Sequence, residues 1–421
     1  MKYSVGFLLF YPVDFLIAMF FWLLAPLFKG CRKNSPWVIG GHRGRIYEDN
    51  SGALHSFIVK NTDQPIIWIA SSKAVIEKLR SENRMVLRKN SFRARLAILR
   101  APVLIYSHGE DDLDQFLRYF RKRLGLRIYL NHSANFCKTG YFAAPEATTW
   151  SDEKRRAMAK RIVDFDYLLA GSAYEREMFK KAFPFKDENR IVADSGAAHI
   201  DNLLLNKVEP EKRILWFPTF RDEAELQQRL VEVENQVLNS KELREYLETN
   251  GIVLTLVSHI NSGAAGAPGS TAGMLGSTAG APGSTAGVLG STSAKNVPVS
   301  VESISNLGKL LPRSMCLISD YSGLAIDWII FDRPFIRFAY DEKEYMRKRS
   351  FYIPLREFCI GPEAWSVEEL ESVIVSERWK DMQPYAEKRA FYKEKIYPET
   401  SPVYASRCYK TIVKLLSYDR N

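Results

Sequence analysis

Cysteine is scarce in this 421-residue chain: Cys31, Cys137, Cys316, Cys359 and Cys408 are scattered, with no CxxC pair among them. An odd, dispersed set excludes a disulfide framework and a structural zinc site. Reduced thiols in a cytosolic body are the plain reading. Histidine is nearly as rare. Its six copies form neither an HExxH pair nor a metal-spaced cluster, so spacing points to no metal and no cofactor is expected. Acidic residues are outnumbered, 49 against 59 basic ones, leaving a formal charge of +10. That balance favours anionic partners without choosing among phosphorylated ligands, polyanions, acidic lipid and nucleic acid. The basic stretch Arg118–Arg127 has aromatic neighbours but no nucleic-acid module around it, so nucleic acid is not expected.

What is present exceeds one ordinary core. Two domains are the natural prior at this length, and 46% apolar with 26% charged residues is globular. The run from Val5 to Phe28 is long enough to cross a bilayer. Lys29, Arg32 and Lys33 follow it while only Lys2 precedes it, which puts the body on the cytoplasmic face of the cell membrane. Asp14, Pro12 and Pro26 interrupt the run, so an interfacial helix stays open beside a true span. Residues 1–34 are therefore read as a membrane segment with a basic flank.

Beyond it, SPWVIGG, PIIWIAS, APVLIYS, LRIYLNHS and DYLLAGS read as short buried strands. Helical stretches such as SKAVIEKLRSE and AYEREMFKKAF lie between some of them. The signal lapses near 201–212 and resumes with KRILWF, a charged helix from Asp222 to about Asn250, then GIVLTLVSH, MCLIS and FIRFAY. This alternation predicts an α/β fold with two Rossmann-like domains, 35–205 and 206–421, facing a cleft. Residues 263–292 repeat TAG-x-x-GS with a seven-residue period. Gly, Pro and Ser dominate there, so a flexible insertion fits and a coiled coil does not.

In open parallel sheets, ligands sit beyond the carboxyl ends of strands, so residues just after strands are the candidates. The turn SDYSG opens a helix, where Ser319, Asp320, Ser322 and Gly323 offer caps and a dipole end for phosphate. An ordinary capped helix is the competing reading. Thr219 and Arg221 follow KRILWF; arginine there suits an anion or a surface ion pair. His42, His108, His132 and His259 each follow a strand and could act as acid, base or cationic clamp. The acidic run GEDDLDQF (Asp111, Asp112, Asp114) reads as a solvated helix start rather than a metal site.

LISDYSGLAIDWIIFDRPFIRFAYDEKEY, ILWFPTFRD and DYLLAGSAYEREMFKKAFPF together resemble the CDP-glycerol glycerophosphotransferase family, which includes teichoic-acid primases and polymerases. The resemblance covers about Tyr129 to Tyr345. It implies a glycosyltransferase-B-type pair of domains, with an acceptor domain first and a CDP-donor domain second. The implied reaction moves glycerol phosphate from CDP-glycerol to a glycerol-phosphate-containing or lipid-linked glycan acceptor at the membrane surface, in teichoic-acid or capsule-type biosynthesis. CDP-ribitol transfer, a nucleotide-sugar glycosyltransferase and a non-catalytic polymer-binding protein stand as alternatives. The resemblance also implies roles. His132, in HSANFCKTG with Lys138 and Gly140, matches the catalytic base, and His259 a donor-phosphate histidine. GAAHID keeps Gly196 and Asp201 but has His199 where the family has arginine. Arg221, Thr219, Ser319, Asp320, Ser322 and Gly323 then fall on the donor phosphates, and His42, His108, Lys138, His199 and Asp201 on the acceptor side of the cleft.

Overall fold

The computed structural model describes residues 16–28 except 18 and 22, and 35–131 except 116 and 118–123. It also describes 149–154 except 152, 165–258 except 184, 186 and 222, and 298–419 except 349, 350 and 352. His132, Lys138, His259 and the repeat 263–292 lie outside these residues.

Short apolar runs form the strands because both faces of each sheet are covered, which leaves no solvent side for alternation to mark. The first sheet contains β1 (Trp37–Ile39), β2 (Ile66–Ala70), β3 (Val86–Arg88), β4 (Val103–Tyr106), β5 (Leu126–Tyr129), β6 (Tyr167–Leu169) and β7 (Ile191–Val192). Among the described residues its order is β3-β2-β1-β4-β5-β6-β7, parallel at every pairing. The second contains β8 (Glu211–Phe217), β9 (Val253–Ser258), β10 (Val299–Ser303), β11 (Ser314–Ser319), β12 (Phe335–Phe338) and β13 (Glu363–Ala364). Its order is β10-β9-β8-β11-β12-β13, again all parallel. Two doubly wound halves of this kind are the predicted architecture. Each reverses its strand order once, between β1 and β4 in the first sheet and between β8 and β11 in the second.

Two expectations change. The charged helix after β8 is two helices, Ala224–Asn239 and Lys241–Asn250; Ser240 starts the second by accepting from Leu243 N–H. The C-terminal helix Tyr404–Asp419 does not stay with the second sheet. Its Ala405, Cys408, Ile412 and Leu415 join the core of the first, against Trp37, Leu54, Ile58 and Trp68. Apolar burial fixes that return, and the Asp201 carboxylate anchors it by accepting the backbone N–H of Tyr404 (2.9 Å) and Ala405 (2.8 Å).

Of the N-terminal apolar run, residues 5–15 lie outside the described residues. No helix among the described residues is long and apolar enough to cross a membrane. Phe21 and Ala25 are buried in the first domain's core, with Ile17, Leu24 and Phe28 packed against it. Arg100 lies over the Phe28 ring at 4.9 Å. Leu16, Met19, Phe20, Leu23 and Leu27 remain exposed, Leu27 to 71%. The described part of the segment is thus fastened along one side and apolar on the other.

Candidate active site

Loops after two neighbouring strands part where the strand order reverses, and the crevice between them is where such sheets take ligands. In the second domain these loops carry Thr219 and Arg221 after β8, and Asp320 to Gly323 after β11. They meet at once. Asp320 accepts from Thr219 N (2.9 and 3.1 Å), Thr219 Oγ1 (2.6 Å) and Tyr321 N (2.6 Å). Arg221 Nη2 lies 2.9 Å from Asp320 Oδ2. The same guanidinium holds Asp341 in a fork, Nε at 2.7 Å and Nη2 at 2.9 Å, and donates through Nη1 to the Thr219 carbonyl. Tyr321 and Tyr345, stacked 3.9 Å apart, lie 5.0 and 5.2 Å from the guanidinium carbon, and Tyr321 donates to Asp341 (3.0 Å).

Arg221 is 1% exposed. Burial works against its charge, but Asp320 and Asp341 outweigh burial and hold the guanidinium protonated more firmly than usual. Every nitrogen is engaged within the protein. Here it braces the two loops, and it is not presented to an incoming phosphate.

The turn itself also differs from expectation. Ser319 donates to the Phe217 carbonyl (2.7 Å) and Asp320 faces Thr219, so neither caps the following helix. Gly323 holds the cap position without a side chain, and Ser322 Oγ, one residue before it, accepts from Leu324 N (3.2 Å). The helix Leu324–Trp328 is short, continues as a tight turn to Phe331, and ends at Asp332 in the left-handed region before Pro334. Ser322 and Gly323 are the half-buried positions of the turn.

In the first domain the corresponding loops carry His42 after β1 and His108 after β4. Their rings lie 4.1 Å apart, and His42 N–H donates to His108 Nδ1 (3.3 Å). Asp49 Oδ2 is 2.7 Å from His42 Nε2 and 4.0 Å from His108 Nδ1. Burial works to lower the His42 pKa, but contact with Asp49 and the charges of Asp112 and Glu48 raise it overall. Buried Asp112 ties the two loops, accepting from Arg43 N (2.7 Å), Ser107 N (3.0 Å) and His108 N (2.8 Å). The acidic run is therefore not a solvated helix start: Asp112 and Asp114 are buried, and Arg95 donates to Asp114 (3.0 Å). The Gly44 carbonyl accepts from Ser71 and Ser72 after β2. At φ +79°, a Cβ on Gly44 would stand 2.6 Å from Ser71 N, so glycine is required there. An open hollow of about 600 Å³ remains, lined by His42, Arg43, Arg45, His108, Glu110 and Asp111.

His199 and Asp201 are placed elsewhere: Asp201 holds the start of the last helix, and His199 lies in a buried polar seam between the domains. His199 Nδ1 meets Asn50 Oδ1 (2.7 Å) and its Nε2 meets Asp327 Oδ2 (3.1 Å). Tyr397 donates to Asp327 Oδ1 (2.7 Å). Asn50 Nδ2 reaches the carbonyl of Asn131 (3.0 Å), a left-handed residue at the end of β5. Sequence reasoning missed Asp49, Asn50, Asp327 and Asp341. The last two lie inside the motif-rich segment; Asp49 and Asn50 carried only the weak signal of a turn, EDNSG.

A two-domain, doubly wound α/β protein with polar loops at both strand-order reversals is the class that this geometry defines. The same fold is seen in the wall teichoic acid polymerase TagF, with a TM-score of 0.65 at 18% identity over 97% of each chain. The profile of the CDP-glycerol:poly(glycerophosphate) glycerophosphotransferase family matches residues 33–271 and 285–414, and the chain belongs to that family. A teichoic acid poly(glycerol phosphate) polymerase of Staphylococcus epidermidis is 25% identical over 230 residues, 51% of this chain and 28% of that one. A teichoic acid glycerol-phosphate transferase of Staphylococcus aureus is 22% identical over 345 residues, 76% of this chain and 78% of that one. A poly(ribitol-phosphate) polymerase of Bacillus spizizenii is 34% identical over 77 residues, 18% of this chain and 12% of that one. The chain thus matches only a minor part of the length of the two polymerases.

Proposed function

We propose that the protein transfers glycerol phosphate from CDP-glycerol to a teichoic-acid-type acceptor and releases CMP. The observation that carries this reading is the family match across both halves of the chain. His132 takes the proton of the acceptor hydroxyl, whose oxygen attacks the β-phosphorus; the bond to CMP breaks as the new ester forms. His259 offsets the charge of the donor phosphates. Ser322 and Gly323, half-buried after β11, are the donor-side groups left to approach phosphate, because Asp320 and Arg221 are spent on each other. Positioning and charge stabilisation carry most of the acceleration in such transfers. The body docks on the membrane through the exposed Leu16, Met19, Phe20, Leu23 and Leu27, lying on the surface instead of crossing it.

Ribitol phosphate is the second reading, favoured by the similarity to a ribitol-phosphate polymerase. Incubation with labelled CDP-glycerol, CDP-ribitol and UDP-sugars, scored for CMP or UDP, tests both. CMP from CDP-glycerol is expected, reduced by about 10²–10⁴-fold in His132→Ala. Unchanged CMP release by His132→Ala removes the base assignment. Wild-type protein inert with all donors, with a lipid-linked acceptor present, removes the enzyme reading.

A further inference from the structure

We infer that His42, Asp49 and His108 form a binding site for one divalent transition-metal ion of the zinc type. One ligand atom from each, two imidazole nitrogens and a carboxylate oxygen, lies within 4.8 Å of the other two. Around a tetrahedral ion with bonds near 2.0–2.1 Å, donors stand about 3.3 Å apart. The 2.7 and 4.0 Å separations on either side of Asp49 Oδ2 bracket that distance. To join the set through Nδ1, His108 gives up the bonds that nitrogen makes with His42 N–H (3.3 Å) and Ser107 Oγ (3.0 Å).

Asp49 carries an independent sign. Its Oδ2 is buried, lies 2.7 Å from His42 Nε2 as an ion pair, and takes no aligned hydrogen bond. A buried carboxylate is costly unless a cation completes it, and a metal ion would take the place of the proton that His42 brings to this oxygen. Its other oxygen accepts from Ser51 N (3.1 Å), which fixes the carboxylate plane.

The supports are also in place. Asp112 binds backbone amides on both histidine loops, so the ligands are held before any ion arrives. His42, Arg43 and Asp49 all adopt left-handed backbone, at φ 48°, 55° and 54°. Strain at three such non-glycine residues persists only where the surroundings impose it. The donor set selects the metal class: two imidazoles suit zinc, cobalt or nickel, whereas magnesium and calcium prefer oxygen alone. Three protein ligands beside an open hollow leave a position for an oxygen of solvent or of an anion.

The site's location agrees with the acceptor side of the proposed reaction, but its existence does not depend on that reaction. Metal-stripped full-length protein is titrated with Co(II) alone and with Zn(II) alone. One equivalent is expected, with a Co(II) visible spectrum lacking the thiolate charge-transfer band, which excludes the cysteines. His42→Ala and His108→Ala, both at partly exposed positions, each weaken binding by at least about tenfold. X-ray absorption at the zinc edge of the wild-type protein needs no variant, and two imidazoles with oxygen completing the shell are expected. Absence of stoichiometric binding, sulfur ligation, or affinity unchanged in both variants overturns the site. None of these readouts uses CMP release, so failure here and failure of the proposed function are told apart.

Discussion

His199 Nε2 and Asp327 Oδ2, 128 residues apart in the chain, lie 3.1 Å from each other and join the two domains. The Asp327 charge raises the pKa of His199 against the opposing effect of burial. Asn50 on one side and Tyr397 on the other saturate the pair.

Removing one member of a buried pair costs more than the pair contributes, because the other is left uncompensated. Asp327→Ala strands both His199 and the Tyr397 hydroxyl. A loss of about 3 kcal/mol is expected in urea denaturation, and combining it with His199→Ala should cost much less than the sum. Additive losses would show that the contact is not a coupled pair.

Glu175 sets a pH dependence. Burial lifts its carboxyl to about 7, against the lowering effects of the Gly171 amide and His199, and Asp327 lifts it further. The folded protein therefore holds a proton that the unfolded chain releases near the ordinary carboxylate range. This contribution is fully present below about pH 4.5 and is lost as pH rises to about 7, some 3 kcal/mol in all. Glu175→Gln should flatten that stretch of the stability curve, measured by urea midpoints from pH 5 to 8. Parallel curves for the two proteins would reject the assignment.

Arg221→Lys separates bracing from phosphate binding. A lysine cannot reach Asp320 and Asp341 together or keep the fork on Asp341. A loss of about 3 kcal/mol in stability is expected. A variant as stable as the parent but with a raised KM for the donor would return Arg221 to the phosphate.

Leu23, exposed on the N-terminal segment, is tested by Leu23→Glu. Partitioning onto anionic vesicles should fall by about tenfold, while the thermal midpoint stays within a degree or two because no packed contact is lost. Equal partitioning would move the membrane contact to another face.

The strands that were legible in the sequence are mostly the central ones. Val103–Tyr106 and Ser314–Ser319 are apolar runs because neighbours cover both their faces and edges. The four that were not read, β3, β7, β10 and β13, are the sheet edges, only partly buried and therefore without a continuous apolar run. The two helices read as one after β8 had a single visible sign, Ser240.

By itself the sequence determined two α/β halves, the strand-end placement of Thr219, Asp320, His42 and His108, and the family, since each is written in neighbouring residues. Tertiary structure alone decided that Arg221 faces Asp341, that His199 meets Asp327, and that Asp49 stands between His42 and His108. It also sent the last helix back to the first domain. Those pairings depend on strand order and on loops that meet across a sheet, whereas periodicity records only whether a side chain is covered and not by what.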